Sequence, residues 1–186
     1  MVRFQAAATE DLPAILALQQ ANLPQNISAE EALAQGFLTV EHELPLLAEM
    51  NEACAHTIGK DGEELAGYAL SMTRDFSSRI PILLPLFELI DQLHWEGRSV
   101  AEIPYILMGQ VCVAKDYRGQ GVFKGLYEEM QRRMGRDHAY ELIITEISTR
   151  NTRSLRAHQK VGFIDMHQYQ APDGEQWVVV GLPCLR

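Results

Sequence analysis

The chain has 186 residues, and 16 Lys plus Arg against 25 Asp plus Glu leave a formal net charge of −9 and a sequence pI near 5.1. Phosphate backbones are gripped by clustered cations, so this balance argues against a general nucleic-acid binder, while 47% hydrophobic and 22% charged residues argue against disorder or a fibrous repeat. The length suits one domain with a real core, residues 1–186, and the scattered Cys54, Cys112 and Cys184 have no CxxC or Cys/His zinc spacing. A reducing, cytoplasmic setting without a metal is expected. Met1 to Gln5 lacks the apolar core of a signal peptide, and Ile80 to Leu86, broken by Pro81 and Pro85, is too short to span a bilayer, so no membrane role is expected.

In chain order, Val2 to Ala8 reads as a strand, and Thr9 opens a helix with Asp11 and Pro13 in its first turn and Leu12, Ile15, Leu16 and Leu18 along it. Ser28 and Glu31 form a capping box for a second helix through Ala34, ended by Gly36, and Leu44 to Ala53 is a third. Residues 54 to 60 and 64 to 73 read as a hairpin across Asp61 and Gly62. The segment from 75 to 104 is less regular, with a helix at Leu86 to His94, and reads as an insertion on the substrate side. Tyr105 to Ala114 is nearly all apolar, as in a central strand covered on both faces, with Gly109 marking a bulge or close approach. Gly121 to Arg136 is an amphipathic helix with Val122, Leu126, Met130 and Met134 at spacing four. Leu142 to Ser148 is another central strand and Asn151 to Val161 another helix, and two strands, Phe163 to Tyr169 and Gln176 to Leu182, flank Pro172-Asp173-Gly174. The order is mixed α/β, antiparallel at both ends, with one strand, helix, strand, helix unit in the middle.

Chemistry concentrates between the strand at 105 to 114 and its following helix, in Asp116-Tyr117-Arg118-Gly119-Gln120-Gly121-Val122-Phe123. Two glycines bring backbone close to a ligand, and the first amides of a helix point at it with the positive end of the dipole. Arg118, and Lys124 where it faces that way, add cations suited to a phosphate. A plain strand-to-helix turn is the simpler alternative. A P-loop is excluded, since no Gly-Lys followed by Ser or Thr occurs. A dinucleotide loop fits less well, because Gly119, Gly121 and Gly125 leave one residue too many in the last gap, although Glu146 lies roughly the expected 20 residues downstream.

A strand, Asp-Tyr-Arg-Gly-x-Gly and an amphipathic helix resemble the acyl-CoA loop of the GNAT superfamily of N-acetyltransferases. The resemblance extends to Glu146, Asn151, Ser154, Gly162 and Phe163, which match a downstream pattern of many members, and it covers about residues 105 to 163. It implies a mixed, mostly antiparallel twisted sheet with helices on both faces and a central parallel pair splayed to bind acyl-CoA. The backbones of Val111 and Val113 would then bond the pantetheine arm, with Gly109 at the bulge. The pyrophosphate would rest on Gly119, Gln120, Gly121, Val122 and Phe123 beside Arg118 and Lys124, and Asn151 and Ser154 would join the cofactor set. Phe123 departs from the family, where Gly or Ala is usual, and must turn toward Tyr127.

Amine acetylation needs a base for the amine and a proton for the leaving thiolate. Glu146, in the apolar run Leu142 to Ile147, is the candidate base, since burial raises a carboxyl pKa; the alternative is a carboxylate paired with arginine or facing solvent. His158 stands where many members carry a tyrosine thought to protonate the thiolate. Alternatively its ring packs on Phe163 and answers the helix dipole. Asn151 caps its helix as well. The expected activity is transfer of an acetyl group from acetyl-CoA to a primary amine, a small molecule in preference to a protein N-terminus, by direct attack on the thioester. Excess acidic charge favours a cationic acceptor. A homodimer is compatible with this, and the competing functions are a non-catalytic acyl-CoA sensor or partner-binding module and a dinucleotide-binding domain.

Overall fold

The first two helices start where the chain supplies a proline in the first turn, and each buries one stripe. Helix α1 (Leu12–Ala21) has Pro13 in its first turn and buries Leu12, Ile15 and Gln19, and α2 (Leu44–Ala53) has Pro45 and buries Leu47 and Met50. The computed structural model describes residues 1–28, 30, 31, 38 and 40–185. Most of the helix expected from Ser28 to Ala34 lies outside the described residues, but its cap is present: Ser28 Oγ accepts from Glu31 N at 3.0 Å.

The remaining elements are β1 (Arg3–Ala6), β2 (Thr57–Asp61), β3 (Glu64–Met72), α3 (Leu84–Ile90), β4 (His94–Trp95), β5 (Arg98–Ser99), β6 (Tyr105–Val113), α4 (Val122–Asp137), β7 (Leu142–Ser148), α5 (Thr152–Lys160), β8 (Ile164–Gln170) and β9 (Gln176–Pro183). The fold is mixed α/β, with a mostly antiparallel sheet and one parallel pair, β6 with β7. The Asp61-Gly62 hairpin forms, with Gly62 at φ +62°. The helix expected at Leu86 to His94 ends at Ile90, and after a turn at 91–93 His94 instead enters the two-stranded ribbon β4-β5, turned at Gly97 with φ +81°.

The chain divides into two compact units. The first comprises residues 1–72 and 108–130. Its strands run β1-β2-β3 and then the second half of β6. Leu12, Ile15, Leu47, Ile58, Tyr68, Leu70 and Cys112 form its main core, and Ala66, Val122 and Leu126 a second cluster lined by Phe4, Val111, Val113 and Tyr117. The start of α4 lies close to β1: a Cβ on Gly125 would stand 2.2 Å from the Phe4 ring. At Gly109 a Cβ would meet only Met72 Cε, at an ordinary 3.6 Å, so no close approach demands the glycine there.

The second unit comprises residues 73–107 and 131–186. Its strands run from the first half of β6 to β7, β9 and β8. The parallel ladder is short, pairing Tyr105, Ile106 and Leu107 with Leu142, Ile143 and Ile144, whereas β7 pairs with β9 along its whole length. Side chains alternate across a strand, so Tyr105, Leu142, Ile144, Glu146 and Ser148 share one face. A Cβ on Gly181, the partner of Ile144, would stand 2.9 Å from the Trp95 ring. The 73–104 segment therefore packs on the face that carries Glu146.

Candidate active site

The loop that the sequence offers for a phosphate lies in the first unit. Gly119 and Gly121 adopt φ +77° and +83°, the left-handed region that a side chain resists. The first α4 bond runs from Gly125 N to Gly121 O at 3.0 Å. The amides of Val122, Phe123 and Lys124 thus precede the helical ladder and point out of the helix N-terminus, as an anion site requires. Gln120 closes the loop by donating from Nε2 to Asp116 O at 2.6 Å, and Tyr117 OH anchors it to Glu64 at 2.9 Å. Phe123 lies edge-on to Tyr127 with centroids 5.0 Å apart, the turn that its bulk demanded. This backbone geometry fits the diphosphate of a CoA.

The side-chain cations are placed differently from the sequence expectation. Arg118 donates from Nε to Val113 O at 3.3 Å, from Nη1 to Glu31 Oε1 at 3.0 Å and from Nη2 to Asn22 Oδ1 at 2.8 Å. Its fork straps the end of α1 and the segment at Glu31 to the end of β6, and it holds the Glu31 carboxyl below the usual range. Lys124 pairs with Glu128 at 2.8 Å, one turn along the exposed helix surface. Both charges are thus answered within the protein, which leaves backbone amides as the elements aimed at a phosphate. Val111 and Val113 sit half-buried against the Val122 and Leu126 cluster.

The acid–base candidates lie in the second unit. Glu146 is the half-buried exception in an otherwise buried strand, and burial pushes its carboxyl up to about 7. Its hydrogen-bond partner is Tyr169 on β8, whose hydroxyl donates to Glu146 Oε2 and opposes part of that rise. In turn, burial and the carboxylate raise the Tyr169 phenol, which stays a donor at working pH. Tyr169 escaped the sequence reading because β8 is a mostly exposed edge strand whose side chains carry no apolar signal. Only the pairing of Tyr169 with Trp177 and of Trp177 with Ser148 brings it to the Glu146 face.

His158 is 2% exposed, and burial holds its imidazole down to about 4. Nδ1 lies 2.8 Å from Ser154 O, a carbonyl that can only accept, so Nδ1 carries the proton. The ring stands edge-on to Phe163 with centroids 5.0 Å apart. A neutral imidazole bonded to its own helix is a poor proton donor near neutral pH. Asn151 caps α5 by accepting from Ser154 N at 3.1 Å.

A polar network in the first unit also escaped the sequence reading. Gln19 Nε2 donates to Gln110 Oε1 at 2.9 Å and meets His42 Nδ1 at 3.0 Å. Gln19 Oε1 accepts from His42 N at 2.7 Å. Tyr68 OH donates to the same Gln110 oxygen at 2.6 Å, and Gln110 Nε2 reaches Val40 O at 2.7 Å. Gln19, His42, Tyr68 and Gln110 are all buried. Gln110, the polar interruption in the apolar run of β6, was the available signal. Among the described residues no group of three or more His, Cys, Asp or Glu is arranged to hold a metal ion, and no helix is long and apolar enough to cross a membrane.

Solved structures share this fold over the whole chain. The ribosomal-protein-S18-alanine N-acetyltransferase of Escherichia coli aligns with TM-score 0.63 and 14% identity, covering 100% of this chain and 96% of that one. The yncA protein of Salmonella typhimurium, solved with its cofactor acetyl-CoA, aligns with TM-score 0.61 and 14% identity over 100% and 95%. A chain of the NatC complex bound to Gag peptide and CoA aligns with TM-score 0.64 and 15% identity over 99% of each. No curated protein matches by sequence. The family model described as Acetyltransferase (GNAT) family matches residues 24–163. That span includes the glycine loop, Glu146 and the whole of α5, which neither a dinucleotide domain nor a plain turn accounts for. With more than half of its length matched, the chain belongs to the GNAT family of acetyltransferases, whose acyl donor is acetyl-CoA.

Proposed function

We propose that the enzyme acetylates the primary amine of a small molecule and that Glu146 is its general base. The observation that carries this reading is the Glu146 carboxyl, held near 7 on a strand face beside the Tyr169 hydroxyl. A base with a pKa near working pH is half ionised and still strong enough to deprotonate an approaching ammonium. Acetyl-CoA, when bound, supplies the acetyl group as a thioester: the neutral amine forms the C–N bond as the C–S bond breaks, and the proton that the amine gives up through Glu146 balances the one that the departing thiolate takes up. Gly119 to Lys124 bind its phosphates through backbone amides, Val111 and Val113 offer backbone to its arm, and Arg118 and Gln120 hold the loop in shape. Asn151, Ser154 and His158 fix α5, with His158 in a structural place.

The carrier of the amine is the finer question. Two of the compared structures are a ribosomal-protein-S18-alanine N-acetyltransferase and a complex bound to Gag peptide. Purified protein with acetyl-CoA should release CoA thiol faster with small amines than with peptides bearing free N-termini, and Glu146→Gln should reduce turnover about 100-fold or more. Preferential acetylation of peptide N-termini would overturn the small-molecule assignment. Full activity in Glu146→Gln would remove Glu146 from the chemistry.

A further inference from the structure

Both tryptophans of the chain, Trp95 and Trp177, lie on the sheet face that carries Glu146. Two registers place Trp177: it is the Cα partner of Ser148 on β7 and of Tyr169 on β8. Directly opposed residues share a face, and Ser148 follows Glu146 by two, so Trp177 stands one same-face step beyond Glu146. Tyr169 agrees, because its hydroxyl donates to Glu146 Oε2 across β9. Trp95 is placed by Gly181, the partner of Ile144, where a Cβ would stand 2.9 Å from the Trp95 ring and 2.7 Å from Met166 Sδ. Leu142 Cδ1 lies 3.3 Å from the same point, and Leu142, Ile144 and Glu146 point to one face. Trp95 and Met166 therefore meet one same-face step before Glu146.

From Gly181 to Trp177 the strand rises roughly 13 Å at about 3.3 Å per residue, and Val179, the partner of Glu146, lies midway. Trp95, Met166, Tyr169 and Trp177 are each half-buried, so each keeps part of its surface open. The polar groups of the same rows are largely spent. Tyr169 gives its hydroxyl to Glu146, and Ser148 gives its own to Glu175, which Arg150 Nη2 also holds at 2.7 Å. His167, the partner of Val179, stands on the exposed edge strand. Among the described residues of these rows, Glu146 is the carboxylate left for an ammonium, and no hydroxyl is left to donate to a sugar-like guest.

Small-molecule sites are lined in this way, by apolar and aromatic side chains around a few polar groups. A second ammonium, as in a diamine, would find no second carboxylate in these rows, and hydroxyls would lose water without gaining partners. An apolar skeleton escapes that penalty and gains contact with the indoles. The geometry points to Trp95, Met166, Tyr169 and Trp177 as the specificity-determining wall for the acceptor, taking an apolar skeleton, a flat ring or a branched alkyl group, whose amine reaches Glu146. This assignment rests on the acetyltransferase reading of Glu146 and names the acceptor class: an apolar monoamine, in preference to an amino sugar or a polyamine.

The test compares benzylamine and isoamylamine with glucosamine and putrescine at equal concentrations of neutral amine. With acetyl-CoA, kcat/KM for the first two should exceed that for the last two about tenfold or more. Trp177→Phe should keep this preference, and Trp177→Ser should collapse it toward one, mainly through KM. Since the chain has two tryptophans and both line the wall, indole emission reads binding without turnover and without acetyl-CoA. In the single-tryptophan proteins Trp95→Phe and Trp177→Phe, benzylamine should quench or shift the remaining emission, and putrescine should not. These conservative variants carry the test where Trp177→Ser fails to fold. Silent emission in either protein overturns the proposal, as do equal kcat/KM across the four amines and a preference that survives Trp177→Ser. Emission that responds to benzylamine without any acetyl transfer keeps the wall and removes the enzymatic reading of Glu146. Transfer without preference and with silent emission keeps Glu146 and removes the wall.

Discussion

Glu146 and Tyr169 set opposite terms against each other on one carboxyl. Desolvation raises it, and the phenol, a donor to the ionised form, restrains the rise. If the ionised form is the base, kcat/KM for the amine should climb with pH through an apparent pKa of about 7, on the limb where the carboxyl loses its proton. Tyr169→Phe removes the restraint, so that limb should move to higher pH, and a pH–rate profile of the two proteins reads it directly; an unmoved limb would separate Tyr169 from the base. The same shift bears on stability. A carboxyl whose folded pKa exceeds its unfolded value near 4.5 binds the proton more tightly when folded. Its contribution is therefore present at low pH and is lost as pH rises toward and through 7, by up to about 3 kcal/mol. Glu146→Gln should lack this loss, so its melting temperature relative to the parent should be higher at pH 8 than at pH 5. His158→Gln serves as the contrast, since an imidazole held near 4 and bonded to Ser154 should show up in melting temperature while leaving the pH–rate profile unchanged.

At the scale of elements, the strand-to-helix turn is held by two kinds of fit. Gly125 has a helical neighbour's freedom but no room: a Cβ there would meet three Phe4 ring atoms at 2.2, 2.3 and 2.8 Å. Gly125→Ala should therefore cost about 1 to 3 kcal/mol by overpacking, and Phe4→Leu should recover part of it in a double-mutant cycle read by denaturant unfolding. Additive losses would mean that the two do not share the strain. Arg118 is the second fit, one planar fork serving three acceptors, which a lysine cannot copy. Arg118→Lys should lower the melting temperature of the protein without ligand, where a mere phosphate ligand would leave it unchanged. The loop glycines, β6, β7 and α5 were legible because apolar periodicity and turn chemistry are local signals. The strap was not, because Asn22 and Glu31 lie 96 and 87 residues from Arg118 and look like ordinary polar surface. Gln19 was hidden for a related reason: the apolar pattern of α1 gives no hint that one polar residue on its stripe is answered by Gln110 from a distant strand.

For the molecule as a whole, the formal charge of −9 acts on both substrates and with opposite sign. Arg118 and Lys124 are already compensated, by Glu31 and by Glu128, so they do little to offset the acidic surplus. A cationic amine is then drawn in and the polyanionic CoA is opposed, each over distances that salt screens beyond about 10 Å. The amides at the N-terminus of α4 act only in contact and are screened far less. Raising NaCl should therefore lower kcat/KM for a cationic acceptor while raising, or at least not lowering, kcat/KM for acetyl-CoA. A neutral hydroxylamine-type acceptor, uncharged at the same pH, should lose the first dependence and keep the second. Initial rates with each substrate varied below saturation measure both slopes on one preparation. Parallel slopes for the two substrates would mean that the surplus acidic charge lies too far from either path to steer it, and that recognition of the amine is left to the short-range contacts of the Glu146 face.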